Sequence, residues 1–206
     1  MINLKIDSIL KEIEKQEEFE QKNPEQIPNS EKVLAIGRNT GILFNIILQN
    51  MKAKKILEIG MSTGYSTIWF AEALGKNDGK IITIDQDEKK IQRAKLNFKN
   101  VGLENFIEIK HGDALKVVSQ IKQDHDSEES FDFVFIDADK ERYIQYFDAV
   151  LPLVKKGGII AADNILFPER FQKFTKPYVE HVKKTPNIRT VTIPIDNGEE
   201  LSLKLA

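Results

Sequence analysis

Between Lys54 and Ala162 the chain alternates short apolar runs with amphipathic stretches. The runs Lys55–Ile59, Lys80–Ile84, Phe106–Lys110, Phe131–Ile136 and Gly158–Ala162 read as strands. Stretches near 64–75, 87–101, 113–123 and 140–154 carry helical periodicity. Nearly continuous apolar strands alternating with helices predict a parallel sheet covered on both faces. Gly157-Gly158, after Val154, is expected to close a helix and open a strand. Phe131, Phe133 and Phe135 alternate with the strand period and belong to the core. The tail differs. After a helix near 168–184, the runs Ile188–Ile195 and Leu201–Leu205 flank Asp196-Asn197-Gly198-Glu199-Glu200. Asn-Gly between strand-like runs signals a hairpin, so the sheet should end in an antiparallel pair. Ahead of the first strand, residues 2–22 form a helix on Ile6, Ile9, Leu10 and Ile13, and residues 23–29 with two prolines form a linker. Ser30 is placed to cap a second helix over Glu31–Ile36, and a third runs over Thr40–Asn50. These helices are expected to be an appendage, residues 1–50, on a single domain spanning 1–206.

A chain of 206 residues with 41% hydrophobic residues can bury a full core without staples. It has no cysteine, which excludes disulfides, thiolate zinc sites and a cysteine nucleophile. His111, His125 and His181 lack zinc-ligand spacing. With 30 basic and 32 acidic residues the net charge is −2, a poor match to a protein that wraps nucleic acid. The N-terminus has charged residues where a leader would have an apolar core, and no run spans a membrane. The expectation is a cytoplasmic protein that does not engage membranes.

The first strand runs into Glu58-Ile59-Gly60-Met61-Ser62-Thr63-Gly64-Tyr65-Ser66. Glycines there let backbone approach a ligand, and the next helix points free N–H groups at it. A carboxylate at Glu58 suits a cationic sulfonium better than a pyrophosphate, which favours S-adenosylmethionine over NAD. A plain glycine turn is the structural alternative. Asp85, 25 residues after Gly60, can accept ribose hydroxyls, while Asp87 and Glu88 serve the helix cap. Gly112-Asp113-Ala114 can touch an adenine edge or cap a helix.

The fourth strand ends in Asp137-Ala138-Asp139-Lys140 and the fifth in Asp163-Asn164. Open α/β sheets place their sites at such carboxyl ends. Asp137, Asp163 and Asn164 are three oxygen donors, a set for Mg²⁺, Mn²⁺ or Ca²⁺ that leaves about three positions open. Asp139 reads as a helix cap. Lys140 opposes the dipole of the helix it begins, so helix stability does not explain it, and beside a cation it can act as a base.

Together these segments resemble the cation-dependent O-methyltransferases, the catechol and caffeoyl-CoA group with bacterial and archaeal relatives. The motifs are LEIGMSTGYST (57–67), IITIDQD (81–87), GDA (112–114), FDFVFIDADKERY (131–143), GGIIAADN (157–164) and IPIDNGEELSLKL (193–205). The resemblance implies a Rossmann-like, seven-stranded, mostly parallel sheet with an antiparallel last strand, helices on both faces and extra N-terminal helices. It implies S-adenosylmethionine bound by Glu58, Gly60, Met61, Ser66, Asp85, Asp113, Ala114 and Asp137, with backbone near Ile36 touching it. Asp137, Asp163 and Asn164 would hold the cation, most readily Mg²⁺, and Lys140 with Asp137 would be catalytic. The acceptor would be a small hydroxylated aromatic with neighbouring hydroxyls, and the assembly a homodimer.

Two segments depart from the family pattern. Ile165-Leu166-Phe167-Pro168 follows Asn164 where a Gly or Asn usually follows a Trp, and Asp196-Asn197-Gly198 replaces Gly-Asp-Gly. Both bear on the acceptor. The N-terminal helix is expected to pack on the core, with cover of the acceptor site or a dimer contact as alternatives. A second reading keeps the chemistry and takes a transfer-RNA hydroxyuridine, using Arg170, Lys173, Lys176, Lys183, Lys184 and Arg189 with Lys89, Lys90, Arg93, Lys95 and Lys99. An ordinary solvated face is the default for those cations. A third reading, a nucleotide-binding protein without methyl transfer, conflicts with Glu58. Tyr143 and Tyr146 fit either the acceptor pocket or helix packing.

Overall fold

A computed structural model describes residues 3–23, 25–28, 31–123 and 129–205. Ser30, His125 and most of the polar patch at 124–130 lie outside the described residues.

Seven strands make one sheet: β1 (Lys55–Ile59), β2 (Lys80–Asp85), β3 (Ile107–His111), β4 (Phe131–Ile136), β5 (Val154–Ala162), β6 (Ile188–Ile193) and β7 (Glu199–Lys204), ordered β3-β2-β1-β4-β5-β7-β6. β1 to β5 pair in parallel, and β7 runs antiparallel to both β5 and β6. The helices α1 (Leu4–Lys22), α2 (Arg38–Met51), α3 (Tyr65–Gly75) and α4 (Glu88–Val101) bury their apolar faces on one side of the sheet. On the other side lie α5 (Ala114–Gln123), α6 (Tyr143–Val150) and α7 (Gln172–Lys184). This two-sided burial explains why β1 and β4 read as nearly continuous apolar runs.

The N-terminal region departs from its sequence reading. α2 is no appendage: fully buried Phe44 meets Phe70, Phe133 and Phe135 at centroid distances of 6.3, 5.4 and 5.5 Å. α1 is fastened from outside by Arg38, whose Nη1 donates to Glu14 at 2.8 Å and whose Nη2 pairs with Asp7. Residues 32–37 are not helical. Their backbone groups bond across the fold instead, Val33 N to Glu20 Oε2 at 2.8 Å and Ser62 Oγ to Val33 O. Tertiary partners thereby outcompete a short helix that has little propensity to nucleate alone.

Two further boundaries move. The stretch at 140–154 breaks into a 3₁₀ turn, α6 and a second 3₁₀ turn, and β5 begins at Val154. Gly157-Gly158 therefore sits inside β5, where the pairing with β4 slips between Phe131↔Val154 and Phe133↔Ile159. The same irregularity sends Phe131 to the face opposite Phe133 and Phe135. Glu199 and Glu200, expected in the hairpin turn, open β7 and are fully buried.

Candidate active site

The carboxyl ends of β1 to β5 converge on one cavity of about 570 Å³. Its wall includes Gly60, Asp85, Asp113, Ala114, Asp137, Lys140, Asp163 and Asn164. Gly60 has φ +97°, and a Cβ there would come within 1.9 Å of the Asp137 carbonyl oxygen. Only glycine lets β1 and β4 deliver backbone so close together at the cavity floor.

On the β1–β3 side, Asp85 accepts from Ser62 N at 2.8 Å and from Asp87 N at 2.9 Å, which fixes its carboxylate at the wall. Asp87 caps α4, as its spacing suggests. Asp113 caps α5, accepting from Lys116 N at 3.1 Å, and it also lines the cavity. Its other oxygen takes Arg142 Nη1 at 2.7 Å, and that guanidinium holds the carboxyl below its ordinary range.

Four residues expected at the cofactor are not on the cavity wall. Met61 and Ile36 are buried in the core, and beside Ile36 it is Leu34 and Ala35 that face the cavity. Glu58 is fully buried and takes hydroxyl donors from Ser66, Thr67 and Thr83, each at 2.5 Å. Burial, against those three hydrogen bonds, pushes its carboxyl up to about 7. Ser66 is spent on the same bracket, which ties β1 to β2 and α3 beneath the glycine loop.

On the β4–β5 side, Lys140 Nζ donates to Asp137 Oδ1 at 2.6 Å and lies 5.2 Å from the Tyr143 ring and 5.6 Å from the Phe171 ring. Asp139 caps the 3₁₀ turn through Glu141 N. Asp163 and Asn164 turn sharply after β5, with Asn164 at φ +59°, a conformation that asparagine adopts more readily than most residues. Tyr143 Oη donates to Asp163 O at 3.0 Å and supports that turn from the core, while Tyr146 lines the cavity. Burial and then the charge of Asp137 push the Asp163 carboxyl up to about 7.

A divalent cation of the Mg²⁺ type takes oxygen donors gathered on one wall. The set is all oxygen, two carboxylates and an amide, and all three residues face the same cavity. The charge of Asp137 raises the cost of ionising Asp163, which a cation between them would offset. Among the described residues no cluster of three or more His, Cys, Asp or Glu side chains stands in metal-holding geometry, so a cation here would need an amide or other oxygen beside the two carboxylates, and Asn164 lies on the same wall. The residues fit the cation.

Of the other residues at or behind this wall, Glu17 carried no sequence signal, whereas Pro168 and Asn197 lie in the two segments that depart from the family pattern. Glu17, one of several glutamates on α1, reaches the cavity and is pushed up to about 7 by burial. Pro168, Arg170, Phe171 and Asn197 line the same cavity. Asp196 accepts from Thr40 N at 2.8 Å and Asn39 Nδ2 at 3.1 Å, capping α2 from the far end of the chain. A Cβ on Gly37 would fall 2.1 Å from Asp196 Oδ2, so glycine at that N-cap makes room for the borrowed carboxylate.

Comparison with known proteins follows the same outline. The chain is 35% identical over 153 residues to a catechol O-methyltransferase of Niastella koreensis, covering 73% of this chain and 68% of that one. It is 30% identical over 188 residues to caffeoyl-CoA O-methyltransferase 2 of Populus trichocarpa, covering 84% and 76%. Among solved structures, an O-methyltransferase from Bacillus cereus in complex with SAH superposes with a TM-score of 0.78 at 26% identity, over 96% of this chain and 90% of that one. The profile of the O-methyltransferase family matches residues 11–205. With that match running from the first helix to the last strand, the chain belongs to the O-methyltransferase family.

Proposed function

We propose that the protein transfers a methyl group from S-adenosylmethionine to one hydroxyl of a small aromatic vicinal diol, with a divalent cation held by Asp137, Asp163 and Asn164. The observation that carries this reading is the single cavity shared by two sets of residues. Gly60, Asp85 and Ala114 suit a nucleoside sulfonium, and Asp137, Lys140, Asp163 and Asn164 suit a chelating acceptor. The relatives named for catechol and caffeoyl-CoA support the acceptor class. When bound, S-adenosylmethionine supplies an electrophilic methyl on sulfur, and the cation lowers the pKa of a hydroxyl beside it.

The chain's own residues do the rest. Asp85 meets the ribose hydroxyls at the end of β2. Lys140 takes the acceptor's hydroxyl proton at Nζ as the O–CH₃ bond forms and the S–CH₃ bond breaks. Asp137 Oδ1 aims that nitrogen, which takes the proton as a neutral amine, and the Tyr143 and Phe171 rings shield it from water. Holding both reactants in line can supply on the order of 7–11 kcal/mol of the barrier. Pro168, Arg170 and Phe171 border the acceptor side and set which diols enter. The test is mass spectrometry of 3,4-dihydroxybenzoate incubated with the protein, S-adenosylmethionine and Mg²⁺. The expected product has gained one methyl on a ring oxygen, and a product methylated elsewhere, or none, would overturn the reading.

A further inference from the structure

Glu199 is a fully buried carboxyl that the mechanism above does not use. It opens β7, whose antiparallel register with β5 runs Ile160↔Ser202, Ala161↔Leu201, Ala162↔Glu200. Continued by one residue past the end of β5, that register sets Glu199 opposite Asp163. Their side chains meet within hydrogen-bonding reach. Thr40 Oγ1, also fully buried, donates to Glu199 Oε1 at 3.3 Å, and Oε2 is buried with no hydrogen bond assigned to it among the described residues. Glu199 does not line the cavity, whereas Asp163 does. It therefore reaches the site only through Asp163.

Burying a carboxyl with no cation beside it is costly, and an apolar residue would fill this strand position without that cost. Carboxylates that bind metals are themselves commonly fixed by a second hydrogen-bonding group, and losing that group weakens metal binding by about 10–100-fold.

We infer that Glu199 is the positioning residue for the cation ligand Asp163, gripping its carboxyl from behind and itself held by Thr40 at the N-terminus of α2. The inference rests on the cation reading of Asp137, Asp163 and Asn164. It makes the cation site depend on the C-terminal hairpin and on α2, neither of which contributes a ligand.

The test is Mn²⁺ titration followed by electron paramagnetic resonance of the free ion, on the whole chain, without acceptor. Glu199→Leu removes the grip, and its Mn²⁺ affinity is expected to fall about tenfold or more. Glu199→Gln can still donate and accept, and is expected to stay within about threefold of wild type. Thr40→Val removes only the hydroxyl that holds Glu199, and is expected to weaken Mn²⁺ in the same direction by a smaller factor. It decides the matter if Glu199→Leu does not fold. Wild-type protein that binds no Mn²⁺ would overturn the cation reading and this inference with it. Wild-type binding with Glu199→Leu unchanged, or with Thr40→Val unchanged where the leucine variant is unfolded, would overturn the positioning role alone. So would a Glu199→Gln variant as weak as the leucine one, since charge and not positioning would then be what Glu199 supplies.

Discussion

Replacing Glu58 by alanine separates a residue that touches the cofactor from one that holds the loop beneath it. The side chain has no exposure, and three hydroxyls, from Ser66, Thr67 and Thr83, donate to it at 2.5 Å. Alanine leaves all three donors buried without an acceptor, at about 1–3 kcal/mol each. Taking the low end, the loss is about 3 kcal/mol, a large part of a typical stability of about 5–15 kcal/mol. For a chain of this length that is a fall in melting temperature of about 6–12 °C. Glu58→Gln keeps one acceptor and should lose less. The pH dependence has a definite sign. Burial raises the folded-state carboxyl to about 7 from an ordinary 4.5, so the folded state holds a proton that the unfolded chain has released. The stability this contributes is complete below about 4.5 and is lost as pH rises to about 7. The advantage of wild type over Glu58→Gln should therefore shrink across that window. Circular dichroism melts at several pH values, with calorimetric titration of S-adenosylmethionine, give both readouts. A Glu58→Ala protein that melts with wild type yet loses cofactor binding would refute the bracket and restore direct contact.

Asp163→Ala should lower methyl transfer by about 100-fold or more while leaving S-adenosylmethionine affinity within a few-fold; turnover close to wild type would remove Asp163 from the cation site. Lys140→Met should depress kcat far more than cofactor affinity, and coincident pH–rate profiles for variant and wild type would deny it the role of base. Asp196→Ala strips the cap from α2 and should cost about 1 kcal/mol, read as a lower urea midpoint with unchanged slope.

The order of strands and helices was legible because parallel strands buried on both faces leave short, nearly continuous apolar runs between stretches of helical periodicity. β1 and β4 match their predicted limits. β5 did not, because Lys155-Lys156-Gly157-Gly158 has the composition of a turn, and only the slipped register with β4 shows it to be strand. Residues 31–36 misled in the opposite way: their pattern allowed a helix, and long-range bonds to Glu20 and Ser62 decided otherwise. At the site, Asp137, Lys140, Asp163 and Asn164 stood out because polar residues directly after apolar strands have few structural reasons to be there. Glu58 stood out equally, and the structure gives its carboxylate to three hydroxyls. Glu17 and Glu199 were hidden, one among the glutamates of an amphipathic helix, the other beside a turn signal that placed it in solvent. Their burial depends on tertiary packing, which no local pattern encodes.

The most direct test of cation-dependent transfer to a diol is labelled-methyl transfer from S-adenosylmethionine to 3,4-dihydroxybenzoate and, in parallel, to unmodified bulk transfer RNA. Each is run with Mg²⁺, with excess EDTA, and with Mg²⁺ restored after EDTA. The account predicts transfer to the diol that EDTA abolishes and restored Mg²⁺ recovers. Transfer to the diol that survives EDTA, or transfer to the RNA alone, would contradict it.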